Sequence, residues 1–171
     1  MKRFFTTSLL IILSIVSANS WAKATCPAAK DILTSAAPAG QFAKTMWQLA
    51  EAKHRLIDIS DSILIFSEES IENEKLLLKG YFWWRRDKKV IGCAQLKGAY
   101  EESTRKLLLT TLNISSVSIP SKAVYSAILS EDKNTLLRFT IRGKDINKPY
   151  LWFFEGGGSP GGKWQAIKIY P

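Results

Sequence analysis

The sequence predicts a mainly β fold, an antiparallel β-sandwich or a partly open barrel with a short N-terminal helical segment. Short runs of β-branched and aromatic residues recur from residue 56 to the C-terminus. Polar or glycine-containing turns of hairpin length separate these runs, and the alternating helices that a parallel sheet needs are missing. These observations favour antiparallel strands within a single domain, residues 23–171.

The first 22 residues have the pattern of a Sec signal peptide. Lys2 and Arg3 precede a short apolar run at 9–16, and small residues follow that run. The apolar run is shorter than the roughly 20 residues that span a bilayer. We therefore expect cleavage after Ala22, with cleavage after Ala24 as the alternative, and a mature chain that is exported to the periplasm and does not span a membrane.

Two segments before residue 56 are interpreted as helical. Residues 26–33 fit a short helical turn, because Pro27 is tolerated in the first turn of a helix. The AAPAG stretch at 36–40 then ends that turn. Apolar residues recur at helical spacing over residues 41–54, which favours a second short helix.

Nine β-strands are predicted after this point. They cover residues 56–59, 63–66, 76–84, 89–96, 107–119, 123–129, 136–141, 150–154 and 164–170. Turns are expected at 67–69, 86–88, 131–134, 143–145 and in the glycine loop 156–162. The strand that starts near Lys79 resembles the one that starts near Lys148, which leaves open whether an internal duplication exists.

The two cysteines are expected to form a disulfide bond. Cys26 follows the signal peptide and Cys93 lies mid-chain. An even number of cysteines in an oxidising compartment favours a bridge, and the C-x-x-C spacing of a redox pair does not occur. The bridge would hold the N-terminal segment against the strand that carries Cys93.

The mature chain is basic, with 22 basic and 15 acidic residues and a net charge of +7 after Lys2 and Arg3 are removed. These charges are scattered along the chain and form no dense run. Because an exported protein rarely meets nucleic acid, we do not expect nucleic-acid binding. Two explanations of the net charge stay open. Either the basic surface has no specific ligand, or it contacts anionic material of the cell envelope.

The stretch GYFWWRR at 80–86 raises the main functional question. Side chains alternate between the faces of a strand, so Tyr81 and Trp83 share one face while Phe82 and Trp84 share the other. Either both faces are buried, or the first face is exposed beside the arginines and binds a ligand, since Tyr, Trp and Arg are enriched in interface hot spots. The predicted binding surface consists of Tyr81, Trp83, Arg85, Arg86, Trp152, Lys163 and Trp164.

No catalytic, cofactor or metal site is predicted. His54 is the only histidine, and neither a G-x-S-x-G elbow nor an H-E-x-x-H motif occurs. The stretch GGSPGGKW at 157–164 matches the glycine and lysine positions of a P-loop, but Trp164 stands where Ser or Thr would bind Mg²⁺. We therefore interpret the chain as non-enzymatic.

The stretches TCPAAKDI at 25–32 and GYFWWRRDKKVIGC at 80–93 resemble EirA-like periplasmic proteins of intracellular bacterial pathogens. Those proteins are associated with the type IVB (Dot/Icm) secretion system. The resemblance spans the mature chain and implies a non-enzymatic virulence factor that supports effector translocation and intracellular replication. It supplies no catalytic residues.

Two functions follow as hypotheses. The first is an accessory protein that contacts envelope or secretion-system proteins, with a homodimer left open. The second is a small glycan-binding module in which Tyr81, Trp83 and Trp164 stack on the sugars of peptidoglycan.

Overall fold

The computed structural model describes residues 26–50, 61–115, 122–144, 151–154 and 164–171. One short helix and nine strands are found within these residues. The elements are α1 (Ala29–Leu33), β1 (Met46–Ala50), β2 (Ile63–Glu72), β3 (Lys75–Arg86), β4 (Lys89–Glu101), β5 (Lys106–Ile114), β6 (Lys122–Leu129), β7 (Thr135–Lys144), β8 (Leu151–Phe154) and β9 (Trp164–Tyr170).

Eight of these strands form a closed antiparallel barrel. Strands β1 to β7 pair in chain order, and β9 closes the ring between β7 and β1. Strand β8 pairs with the C-terminal half of β7. The prediction of a mainly β, antiparallel fold is confirmed. The sheet closes on itself, however, so the fold is not a sandwich, and the prediction of a partly open barrel holds only loosely.

Two-residue turns connect the longest strands. Residues 73–74 link β2 to β3 and residues 87–88 link β3 to β4, and all four residues have positive φ. Two consecutive positive φ angles define the type I′ turn, whose twist matches that of the flanking strands. The turn predicted at 86–88 is therefore confirmed. The turn predicted at 67–69 is wrong, because β2 continues through this segment with a bulge.

Two glycines allow the wall of the barrel to bend. Gly80 and Gly98 lie in the middle of β3 and β4 on the inward face. A Cβ atom at Gly80 would collide with the carbonyl oxygen of Ile65, and one at Gly98 would collide with that of Leu108. Glycines at such positions let long strands curve into a small barrel.

Aromatic side chains fill the barrel. The Phe82 ring lies 5.2 Å from the Tyr125 ring and 6.2 Å from the Phe139 ring, while Trp47 and Trp164 are also fully buried. Eight strands enclose a space about wide enough for side chains to fill. The interior of the described barrel is therefore a packed core.

Phe42 closes one end of this core. Its ring lies 4.9 Å from Tyr100 and 5.1 Å from Phe66. The loop that carries Phe42 is fixed by Glu69, whose carboxylate accepts hydrogen bonds from the backbone N–H groups of residues 41–43 at 2.7–3.0 Å. A carboxylate that accepts several backbone N–H groups makes strong, charge-assisted bonds.

The helix predicted over residues 41–54 is wrong over residues 41–50, and its last four residues lie outside the described residues. Residues 46–50 form strand β1, in which Trp47 and Leu49 point into the barrel. Five residues contain too few repeats to separate a period of 2 from a period of 3.6. The helical turn predicted at 26–33 is confirmed by α1.

Several predictions lie outside the described residues. They are the signal peptide, His54, the strand at 56–59, the end of the strand predicted at 107–119, the first residue of the strand predicted at 150–154 and the glycine loop 156–162. The turn predicted at 143–145 is wrong at its first two residues, because β7 continues to Lys144; residue 145 lies outside the described residues.

Candidate functional site

Alternation along GYFWWRR is confirmed. Phe82 and Trp84 lie in the barrel core, with their rings 5.2 Å apart. Tyr81 and Trp83 lie on the outer face, where they belong to a second and smaller apolar cluster. The stretch therefore contributes to two cores on opposite sides of the barrel wall.

The outer cluster is covered by the N-terminal strap, which we define as residues 26–35. Ile32 of α1 packs on Trp83, Ile65 and Cys93, and Trp83 is only 8% exposed. The predicted Cys26–Cys93 disulfide is present and holds the strap against β4. The indole N–H of Trp83 is buried and has no hydrogen-bond acceptor among the described residues.

The other predicted surface residues do not join Trp83 in an exposed patch. Trp164 is 1% exposed and belongs to the barrel core. Arg85 is engaged locally, since its guanidinium donates to the carbonyl oxygens of Asp61 at 3.2 Å and Lys88 at 3.0 Å.

The last three predicted residues are described incompletely or not at all. Arg86 and Trp152 lie on β3 and β8 without described side chains, and Lys163 lies outside the described residues.

The structure shows a second candidate site, a groove on the outer wall of the barrel, which the sequence did not predict. It lies across β2 to β5 and has a volume of about 520 Å³. Its apolar floor is a row of residues that the sheet register places side by side: Leu77 on β3, Ala99 on β4 and Leu108 on β5. We call this feature the outer-wall groove. Leu108 is 45% exposed although it is surrounded by strands.

Charged residues line one side of the outer-wall groove. Lys79 and Lys97 lie directly opposite each other on β3 and β4. The Lys79 ammonium donates a hydrogen bond of 2.8 Å to the Glu68 carboxylate, and this bond raises the pKa of Lys79. Lys97 forms no ion pair with any described residue.

A second groove of about 560 Å³ continues the surface over β5 to β7. It shares Leu108 with the outer-wall groove and is lined also by Lys106, Val124 and Arg138. The wall from β2 to β7 thus presents apolar side chains between charged ones, an arrangement suited to contact with a partner.

Packing shifts the pKa of two side chains, the fully buried Tyr125 and the partly buried Lys168. Burial in the core raises the pKa of Tyr125, which keeps the phenol neutral. Burial, followed by the nearby Lys133, lowers the pKa of Lys168, whose ammonium lies 5.1 Å from the centre of the Trp47 ring. Among the described residues, no group of three or more His, Cys, Asp or Glu side chains is arranged to hold a metal ion.

Sequence reasoning missed the outer-wall groove. Its floor residues come from three strands, and their adjacency depends on the register, which the sequence does not display. One signal was present in KLLLTTL at 106–112, where leucines occupy both faces of the strand. A strand that is apolar on both faces has an outward face to cover.

The described part of the chain contains no helix with the length and hydrophobicity needed to cross a membrane. Comparisons with models of protein families, with curated proteins and with solved structures find no match for this chain.

Proposed function

We propose that this protein is an exported, non-enzymatic accessory protein that acts in the periplasm by binding a partner protein. The outer-wall groove carries this proposal. Because the barrel's own side chains fill its interior, we expect a ligand to bind on the outer wall. There, a concave apolar floor lies exposed between charged residues, and such surfaces mark sites of interaction.

The partner that we propose is a subunit of the cell envelope or of a type IVB secretion system, and the role is support of effector translocation and intracellular replication. Three features support this choice. They are the signal-peptide pattern of residues 1–22, the resemblance carried by the stretches at 25–32 and 80–93, and the Cys26–Cys93 disulfide. Disulfides persist in oxidising compartments such as the periplasm.

The surface favours a protein partner over a peptidoglycan strand. A sugar-stacking platform requires Tyr81, Trp83 and Trp164 on one exposed face. Trp83 lies beneath the N-terminal strap and Trp164 lies in the barrel core.

Crosslinking in intact cells, followed by co-purification with a C-terminally tagged chain, tests the proposal. We expect the wild-type chain to recover an envelope protein and the Leu108→Asp variant to lose it, because the aspartate places a charge on the apolar floor. Ile167→Asp is the matched control, since Ile167 on β9 is 46% exposed and Leu108 is 45% exposed. Equal recovery by both variants, or retention on purified sacculi without a protein partner, would contradict the proposal.

A further inference from the structure

We propose that the outer-wall groove binds an acidic segment of the partner, with a carboxylate held at Lys79 and Lys97 and an apolar side chain on the floor. This inference rests on the proposed function, because it names the chemistry of the partner at the same groove.

Two lysines lie side by side at the edge of the outer-wall groove. Lys79 and Lys97 are direct cross-strand partners between β3 and β4, and like charges in this position destabilise a sheet. Glu68 pairs with Lys79, while none of the described carboxylates pairs with Lys97. The Lys97 ammonium thus lies beside the Lys79 ammonium, and none of the described carboxylates compensates its charge. An incoming carboxylate would supply that compensation.

The two carboxylates that line the groove already have partners within the chain. Glu68 bonds to Lys79, and Glu69 accepts the backbone N–H groups of residues 41–43. Both carboxylates therefore have hydrogen-bond partners, whereas Lys97 has no ion-pair partner among the described residues. A basic segment would meet repulsion from Lys97, whereas an acidic one would be attracted.

The apolar floor sets the length of the segment that the groove can hold. Leu77, Ala99 and Leu108 form one row across the groove, and the four strands from β2 to β5 span about 14 Å at the usual strand spacing. Four or five extended residues cover that distance. One apolar side chain on the row and one carboxylate toward the lysines fit within a segment of this length.

A labelled decapeptide with glutamates on both sides of a central Trp-Leu pair serves as the probe. Its counterpart has lysine in place of every glutamate. We expect fluorescence anisotropy to show binding of the acidic peptide alone, with an affinity that weakens several-fold between about 0.05 and 0.3 M salt, because salt screens exposed charges. Amide resonances of Gly98, Ala99 and Leu108 are expected to shift on binding.

Lys97→Gln separates a ligand-binding lysine from a structural one. We expect this variant to bind the acidic peptide about three- to tenfold more weakly and to raise Tm by about 1 to 2 °C, since it removes a like-charge pair. Lys133→Gln, an exposed lysine in the turn before β7, is the control and is expected to leave the affinity unchanged.

Four outcomes would overturn the inference. They are equal binding of the lysine peptide, a lower Tm for Lys97→Gln, resonance shifts away from the groove, and binding to phosphatidylglycerol vesicles without binding to the peptide. A Leu108-dependent dimer seen by gel filtration would replace the acidic partner with a second copy of the chain. If the peptide fails while Leu108→Asp still abolishes co-purification, the proposed function stands and only the chemistry of the partner is refuted.

Discussion

Opening the Cys26–Cys93 disulfide is expected to release the N-terminal strap from Trp83 while the barrel stays folded. The strap and the barrel interior contribute to separate apolar clusters on opposite sides of the wall. Helix α1 has five residues, and isolated helices shorter than roughly 12 residues are marginal in water. The strap therefore depends on its covalent tether.

The size of the effect follows from the length of the closed loop. The two cysteines are separated by 67 positions, and the chain-entropy model assigns about 4 kcal/mol to a loop of that length. A domain of this size loses roughly 3 °C of Tm for each kcal/mol. Removal of the bond is expected to lower Tm by about 10 °C and to leave a cooperative transition.

Hydrogen exchange at the indole N–H groups measures the release. In the Cys26→Ser/Cys93→Ala variant, we expect exchange at Trp83 to accelerate at least about tenfold, because local opening exposes it without global unfolding. Trp47 and Trp164 are internal controls, since both lie in the barrel core. A Trp83→Phe variant identifies the resonance.

Two results would refute this reasoning. Unchanged exchange at Trp83 would show that the strap stays docked without its tether. Equal acceleration at Trp47 and Trp164 would show that the strap and the barrel unfold as one unit.

Three further predictions concern the barrel. Phe82→Ala is expected to cost about 3–5 kcal/mol in urea unfolding, because the ring is fully buried; a loss below about 1 kcal/mol would contradict its place in the core. Gly98→Ala is expected to cost about 3 kcal/mol, since its Cβ would meet the Leu108 carbonyl; an unchanged denaturation midpoint would contradict this. Hydrogen bonding from Ser130 lowers the pKa of Asp132 below 3.8. The ionised Asp132 therefore stabilises the folded state above pH 3.8, and this stabilisation is lost as the pH falls through the folded-state pKa. An NMR titration midpoint at or above 3.8 would contradict the lowered pKa.

Local chemistry allowed much of the fold to be predicted. The turn at 86–88 was recognised because polar turn residues separate two apolar runs. The disulfide followed from an even number of cysteines in an exported chain. Inward and outward faces of GYFWWRR followed from the alternation of strands.

Long-range pairing explains what the sequence did not reveal. Closure of the barrel depends on the pairing of β1 with β9, elements at opposite ends of the described chain. Strand alternation placed Trp83 on the face opposite Phe82 but left open whether that face is buried or binds a ligand. The position of the strap decides the question. The outer-wall groove required the register of three strands, so its lysine pair was read as scattered charge.

Site-specific photo-crosslinking in living cells tests the central claim most directly. A photoreactive phenylalanine analogue replaces Leu108 in the outer-wall groove or Ile167 on β9, where exposure is closely matched. We expect a covalent adduct with a protein from position 108, lost when Lys97 is changed to Glu, and no adduct from position 167. Adducts from position 167 alone would contradict the binding of a partner at the groove, and adducts from position 108 that persist with Lys97→Glu would contradict the acidic chemistry of that partner.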